Sequence, residues 1–378
     1  MSRIVVMGGG AGGMAATVDL TLRGFQVIWW RRTVPNRPPS GFRLAYRGVC
    51  GDGVMPVTCT NDLSAAKEGA AGVLVCLPST AHRHIARLLA EVGCDAPVVL
   101  APGHLGGALE VAQVMRNAGV DPLPPLAEGS TLPYTVRAFA VGGDAGGDYQ
   151  GAQWVVNITG AASRMLVGCL PSGEAALALA TRLYPGAVPL PDVLAVGLAE
   201  VNMVLHPPGS ILAAAWVEAT GGDFRFYVDG MTSGVASVME RLDAERLAVA
   251  GAFGYRLGSL MEEMAAIGTV EPEADLNDIE GAISGGKANA RIMAPHSLGH
   301  RYYTEDFGYG LLPLVELAKV AGVKTPVAEA LLNLASAAGL ESAIAGGRTL
   351  RRLGLEGLSV EEILSSIHPC SNPGTAPH

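Results

Sequence analysis

Ile4-Val5-Val6-Met7-Gly8-Gly9-Gly10-Ala11-Gly12-Gly13 decides the fold of the first half of this chain. Its first four residues are a short, β-branched apolar run, which predicts a buried strand. The glycines after it fit G-x-G-x-x-G at Gly8, Gly10 and Gly13. Met14-Ala15-Ala16-Thr17-Val18-Asp19-Leu20 then has helical spacing, with Gly24 as the residue that closes the helix. Phe25-Gln26-Val27-Ile28-Trp29-Trp30 predicts a second strand. In such a strand–turn–helix–strand unit the glycines allow a tight turn and a close approach of backbone to a pyrophosphate, whose charge meets the helix N-terminus. The unit as a whole carries the dinucleotide reading, because the glycines alone would be weak evidence. Gly8, Gly10, Ala11, Gly12 and Gly13 are the expected cradle.

The end of the second strand selects the cofactor. A site for NAD usually places Asp or Glu about 20 residues past the glycines, where a carboxylate accepts from the ribose hydroxyls. This chain has Arg31 there, followed by Arg32, with Arg37 close behind. An arginine grips a 2′-phosphate with two donors and offers nothing to a hydroxyl that needs an acceptor. NADP(H) is therefore expected over NAD(H). Further strands are predicted at Gly72–Leu77 and Ala96–Leu100, separated by a helix that begins near Thr80 and carries His82 and His84 on its polar, surface side. This alternation is that of a doubly wound parallel sheet, whose strand C-termini face the ligand crevice. Pro78 and the Pro102-Gly103-His104 turn are expected beside the nicotinamide half.

Composition bounds the rest. The 378 residues suffice for two cored domains, and 49% hydrophobic against 16% charged residues, with 50 glycines, suits an Ala- and Gly-rich globular enzyme. A net charge of −9 disfavours nucleic acid and anionic membrane as partners. Six scattered cysteines form no CxxC pair and no spacing with histidine that suggests zinc, so no metal is expected. No signal peptide or uninterrupted span of about 18 apolar residues is seen, and a cytoplasmic protein is expected.

From about residue 190 the pattern turns helical. Val188-Pro189-Leu190-Pro191 marks a boundary, and Asp192 is a good N-cap for a helix over Val193–Leu205. Pro207 is expected to stop that helix at His206, where the negative end of the helix dipole would favour the protonated imidazole. A histidine poised to titrate near neutral pH suits general acid–base work. Asn202, four residues earlier, shares its face and could hydrogen-bond a substrate. In isolation, His206 reads more readily as a stabilising helix-end residue than as a catalytic one. A long helix from Met231 to about Phe253 carries Arg246 on its apolar stripe, where a structural ion pair is the simpler explanation.

Four motifs in order then carry a resemblance. Ala101-Pro102-Gly103-His104-Leu105-Gly106-Gly107-Ala108-Leu109-Glu110 resembles the NPG-x-x-GG-A-L-E segment of the octopine/nopaline (opine) dehydrogenase family. Leu126 to Arg137, with Glu128, Thr131 and Tyr134, resembles its AE-x-x-TLPY-x-x-R segment. His206-Pro207-Pro208-Gly209, Phe226-Tyr227-Val228-Asp229-Gly230 and the LDAERL run follow, and then Arg301-Tyr302-Tyr303-Thr304-Glu305-Asp306 with Tyr309-Gly310-Leu311. The likeness covers about residues 3 to 365. It implies that Asp306 orients a catalytic His206, that Arg301 holds a keto-acid carboxylate, and that Asn202 assists. Thr131 and Tyr134 are taken as further substrate-binding residues. Phe307-Gly308 departs from the family's frequent V-P.

The expected architecture is a Rossmann-type domain over residues 1–188, an all-helical domain over 189–368, and a disordered tail over 369–378. The expected reaction is NADPH-dependent reductive condensation of an amino acid with a 2-keto acid, giving an N-(carboxyalkyl)amino acid. The partners are those two small molecules, with a homodimer allowed for. Two alternatives remain at this point. One is reduction of a keto acid or cyclic imine without condensation. The other is a non-catalytic NADP-binding sensor, which predicts a His206–Asp306 separation too long for a hydrogen bond.

Overall fold

β1 (Arg3–Met7) runs through the middle of the sheet, and every residue in it after Arg3 is buried. Burial on both faces explains why its sequence is continuously apolar rather than alternating. A computed structural model describes residues 2–34, 41–141, 149 and 151–368. Arg37 and the expected tail at 369–378 lie outside the described residues.

The other strands are β2 (Gln26–Trp30), β3 (Phe42–Gly48), β4 (Gly53–Thr60), β5 (Gly72–Val75), β6 (Val98–Leu100), β7 (Leu126–Gly129), β8 (Tyr134–Ala140), β9 (Trp154–Ala161), β10 (Met165–Cys169) and β11 (Ala187–Pro189). They form one sheet in the order β11-β10-β7-β6-β5-β1-β2-β4-β3-β9-β8. From β4 to β7 all neighbours are parallel, in the order of a doubly wound nucleotide-binding sheet. The chain switches direction of travel between β1 and β5, and ligands of such sheets lie at that switch, beyond the strand C-termini. Both margins are mixed. β10 is antiparallel to β7, and on the other side β3 is antiparallel to β4 and β8 to β9. The parallel-sheet expectation thus holds for the centre only.

Beyond β11 the described chain is helical, apart from one isolated bridge between Arg225 and Met293. Asp192 caps the first of these helices, its Oδ1 accepting from the Ala195 amide at 2.9 Å. The single helix expected from Val193 to Leu205 is instead two, Val193–Ala199 and Asn202–Leu212, with Glu200 extended between them. Pro207 and Pro208 lie inside the second helix. They are its sixth and seventh residues and remove the amide donors that would otherwise reach the Met203 and Val204 carbonyls. His206 consequently sits inside a helix and not at its end, and the dipole argument for its protonation does not apply.

The run Pro326–Leu353, with mean hydropathy 1.2, has the length and apolarity to cross a membrane. The sequence reading expected no such run. It is nevertheless broken, with Gly339 at φ +91° between the helices Pro326–Ala335 and Glu341–Ala345. Its last residues return to the first domain, where Leu353 fills the space over Gly106.

Candidate active site

The glycine turn is built as the motif requires. A Cβ on Gly13 would lie 2.1 Å from the Gly8 carbonyl oxygen, so only glycine lets the first helix start this close to β1. Gly8, at φ +155°, would place a Cβ 2.5 Å from the Cys76 carbonyl, whereas a Cβ on Gly10 would meet nothing within 4 Å. The turn is therefore tight behind and open in front, which is the shape a pyrophosphate needs. Beside it lies a pocket of about 360 Å³ lined by Gly8, Gly9, Arg31, Arg32, Leu77 and His84, among others. Arg31 follows β2, with its guanidinium carbon 5.0 Å from the Trp29 ring centroid and 5.8 Å from that of Trp154. Its Nη1 is buried without a partner. A buried, unpaired guanidinium nitrogen at the edge of a nucleotide pocket is suited to an anion. Arg32 is exposed at the same rim, and Pro78 is exposed just after β5.

His206 and Asp306 meet where the two halves of the chain face each other. His206 is 3% and Asp306 2% exposed, and His206 Nδ1 lies 3.1 Å from Asp306 Oδ2. His206 Nε2 lies 2.9 Å from the Tyr227 hydroxyl, which is in turn 3.2 Å from that of Tyr302. The Tyr302 ring stacks on His206 with centroids 3.8 Å apart. Burial pushes the Asp306 carboxyl up from its ordinary pKa, and the neighbouring imidazole pulls it back. Burial also holds the Tyr227 phenol well above its usual value, so it stays a neutral hydroxyl.

A second histidine adjoins this pair. His104 follows β6 at φ +55° and is 3% exposed. Its Nε2 lies 3.2 Å from Glu305 Oε1 and its Nδ1 3.3 Å from Glu200 Oε2. Burial would lower its pKa, but the Glu305 and Glu200 carboxylates override this and hold it well above the ordinary value. Glu305 also accepts from the Ser79 amide at 2.6 Å, which ties the turn after β5 to the helical half.

Arg348 ties the halves together a second time. Fully buried, it donates to Glu110 Oε2 at 2.9 Å and to the carbonyl of Gly103 at 2.8 Å, and its Nη2 lies 2.9 Å from His82 Nδ1. His82 is thus fully buried, not on the surface as its helix position suggested, while His84 is exposed as expected. Burial and the adjacent Arg348 push His82 down to about 3. Burial pushes the nearby Glu128 up to about 7.

Other expected residues lie apart from the His206 cluster or at its edge. Asn202 is half-buried one turn before His206. Arg301 is exposed, with its guanidinium carbon 5.7 Å from the centroid of the Tyr302 ring. Thr131 is half-buried, and its hydroxyl donates to the Leu132 carbonyl at 3.3 Å. Tyr134 donates through its hydroxyl to Asp19 Oδ2 at 2.8 Å, on the flank of the first helix and apart from the His206 cluster. Leu132 covers Gly12, so this whole loop packs on the nucleotide half. Arg246 pairs with Asp243 at 2.6 Å and with the carbonyls of Leu198 and Gly258, the structural ion pair anticipated for it.

Glu200, Glu305, Tyr227 and Arg348 received no role from the sequence. Glu200 had a usable signal, being a lone acid in an apolar run and so in need of a buried partner.

Residues 189–339 match the family model described as NAD/NADP octopine/nopaline dehydrogenase, alpha-helical domain. The chain is 33% identical over 369 residues to the opine dehydrogenase of Arthrobacter sp. (strain 1C), an alignment spanning 96% of this chain and 98% of that one. Its fold is similar to that of an octopine dehydrogenase in complex with NADH and agmatine, with a TM-score of 0.73 at 19% identity over 100% of this chain and 99% of that one. It is also similar to a yersinopine dehydrogenase with NADP+ bound, with a TM-score of 0.67 at 14% identity over 94% and 97% of the two chains.

Proposed function

The chain belongs to the octopine/nopaline (opine) dehydrogenase family of NAD(P)-dependent oxidoreductases acting on CH–NH bonds, and from that premise we propose that it reductively condenses an amino acid with a 2-keto acid, using NADPH. The observation that carries this reading is the buried His206–Asp306 pair, joined across 100 residues of sequence and 3.1 Å of space. A silent sensor would have no need of that hydrogen bond.

Asp306 accepts from His206 Nδ1–H, which fixes the tautomer and stabilises the imidazolium. His206 Nε2 is then the working nitrogen. It takes a proton as the amine attacks the keto carbon and returns one as the hydroxyl leaves as water, so that an imine forms. Tyr227, hydrogen-bonded to Nε2, links that proton to the Tyr302 hydroxyl. Arg301 meets the keto-acid carboxylate at the open side of the cluster, because a planar guanidinium engages both its oxygens. Asn202 steadies the amine from the same helix face as His206. The nicotinamide cofactor, when bound, supplies the hydride that reduces the imine carbon. Gly8 to Gly13 would hold its pyrophosphate, and Arg31 would hold the 2′-phosphate that distinguishes NADPH. The residues fit this group, on the open cradle at Gly10 and the unpaired Arg31 Nη1. A cytoplasmic setting agrees with five free thiols among the described residues.

The test is NADPH oxidation with a keto acid alone and then with a panel of amino acids added. Turnover is expected only with both. Equal rates without any amine would replace condensation by simple keto-acid reduction.

A further inference from the structure

Asp306 and two side chains near it, His104 and Glu200, share one arrangement: each is held through one polar atom and keeps a second one buried. His104 Nε2 faces Glu305, leaving Nδ1. Glu200 Oε1 accepts from the Asn202 amide at 2.8 Å, leaving Oε2. Asp306 Oδ2 is taken by His206, leaving Oδ1. All three remaining atoms are buried and have no hydrogen-bond partner, and the three residues can offer ligand atoms within 4.8 Å of one another. His104 Nδ1 and Glu200 Oε2 are 3.3 Å apart, an ion pair when His104 is protonated but without hydrogen-bond geometry, so a metal between them would take the place of that proton.

We infer that His104, Glu200 and Asp306 form a binding site for one divalent transition-metal ion of the zinc class. Bonds of about 2.0–2.1 Å to two donors 3.3 Å apart would enclose roughly 105–110°, the tetrahedral angle. One imidazole nitrogen and two carboxylate oxygens leave a fourth position for water or a substrate atom. The surrounding shell is that of a metal site: a ligating histidine normally donates its other N–H to a carboxylate, as His104 does to Glu305. Drawing in Asp306 requires a side-chain shift of up to about 1.5 Å, because atoms spread over as much as 4.8 Å must close to the roughly 3.3–3.4 Å that two such bonds span at the tetrahedral angle. Nδ1 must give up any proton as the metal binds.

Occupancy has a functional consequence, and this clause alone rests on the proposed reaction. A cation on Asp306 withdraws the negative charge that stabilises the His206 imidazolium, so the metal inhibits turnover.

Chelator-treated protein titrated calorimetrically with zinc is expected to bind one equivalent. His104→Ala and Glu200→Gln should each weaken binding by more than about 10-fold. Glu200→Gln keeps the oxygen that accepts from Asn202, so its fold should survive. Cobalt(II) substituted for zinc should show a four-coordinate visible spectrum without thiolate charge transfer, which separates this site from the free cysteines. The inference is overturned by absence of stoichiometric zinc, by equal binding in both variants, or by a thiolate spectrum. Binding is read without turnover, so a failed metal site and a failed condensation assay are distinguishable.

Discussion

His206 Nδ1 and Asp306 Oδ2 stand 3.1 Å apart, both nearly sealed from solvent, with Tyr227 closing the other side of the imidazole. If Asp306 fixes the tautomer, Asp306→Asn should preserve the fold and binding while lowering kcat by about 10³–10⁴-fold. Steady-state kinetics alongside a thermal melt decides it. A variant that melts normally and turns over at the parent rate would remove Asp306 from the mechanism.

Arg31 lies at the rim of the nucleotide pocket with one nitrogen unpaired. Charge-assisted hydrogen bonds are worth about 1.5–3 kcal/mol, so Arg31→Ala should raise the NADPH KM by roughly 10–100-fold. The NADH KM should hardly move. Equal effects on the two cofactors would end the NADP assignment.

Arg348 and Glu110 are both fully buried and lie 238 residues apart in sequence. Removing one partner strands a charge in the interior, so Arg348→Met should destabilise the protein by about 3–5 kcal/mol. Adding Glu110→Gln should recover part of that loss. Denaturant midpoints of the two single variants and the double variant measure the coupling, and simple additivity would show that the pair is not the cause.

His82 gives stability a dependence on pH of known sign. Its folded pKa is pushed down to about 3, below the ordinary 6.5. Above pH 6.5 neither state holds the proton, and the contribution is complete. As pH falls from 6.5 toward 3, only the unfolded chain takes it up, and stability declines. Between pH 7 and pH 5 the loss from this one group is about 2 kcal/mol. His82→Asn keeps an acceptor toward Arg348 and should flatten the pH dependence by that amount. An unchanged slope would mean that His82 is protonated in the fold.

Much of the first half could be read in the chain because its signals are local. The step from Ile4–Met7 through the glycines to Leu20 needs nothing from elsewhere, and neither does the Asp192 cap. The errors arose where a distant partner decides the outcome. His82 sits on the polar side of its own helix, but Arg348 makes that side an interior one. Pro207 is a breaker by rule, yet the break falls earlier, at Glu200, the lone acid of an apolar run, and the prolines lie inside the helix that follows. Tyr134 belonged to a legible motif, but its partner Asp19 is set by tertiary packing and has no mark in that motif. Asp306 was reached through the family likeness, since no spacing rule spans 100 residues.

Arg348 also bears on how the protein is made. The loop at Gly103 and Leu105, the carboxylate of Glu110 and the ring of His82 all await one guanidinium encoded near the end of the chain. Within the nucleotide half Glu110 has only the partly exposed Arg83 as counter-charge, and Arg348 supplies the buried one. Late sequence thus completes early sequence, and a chain cut short before residue 348 is expected to be more open to proteases at the turn after β6.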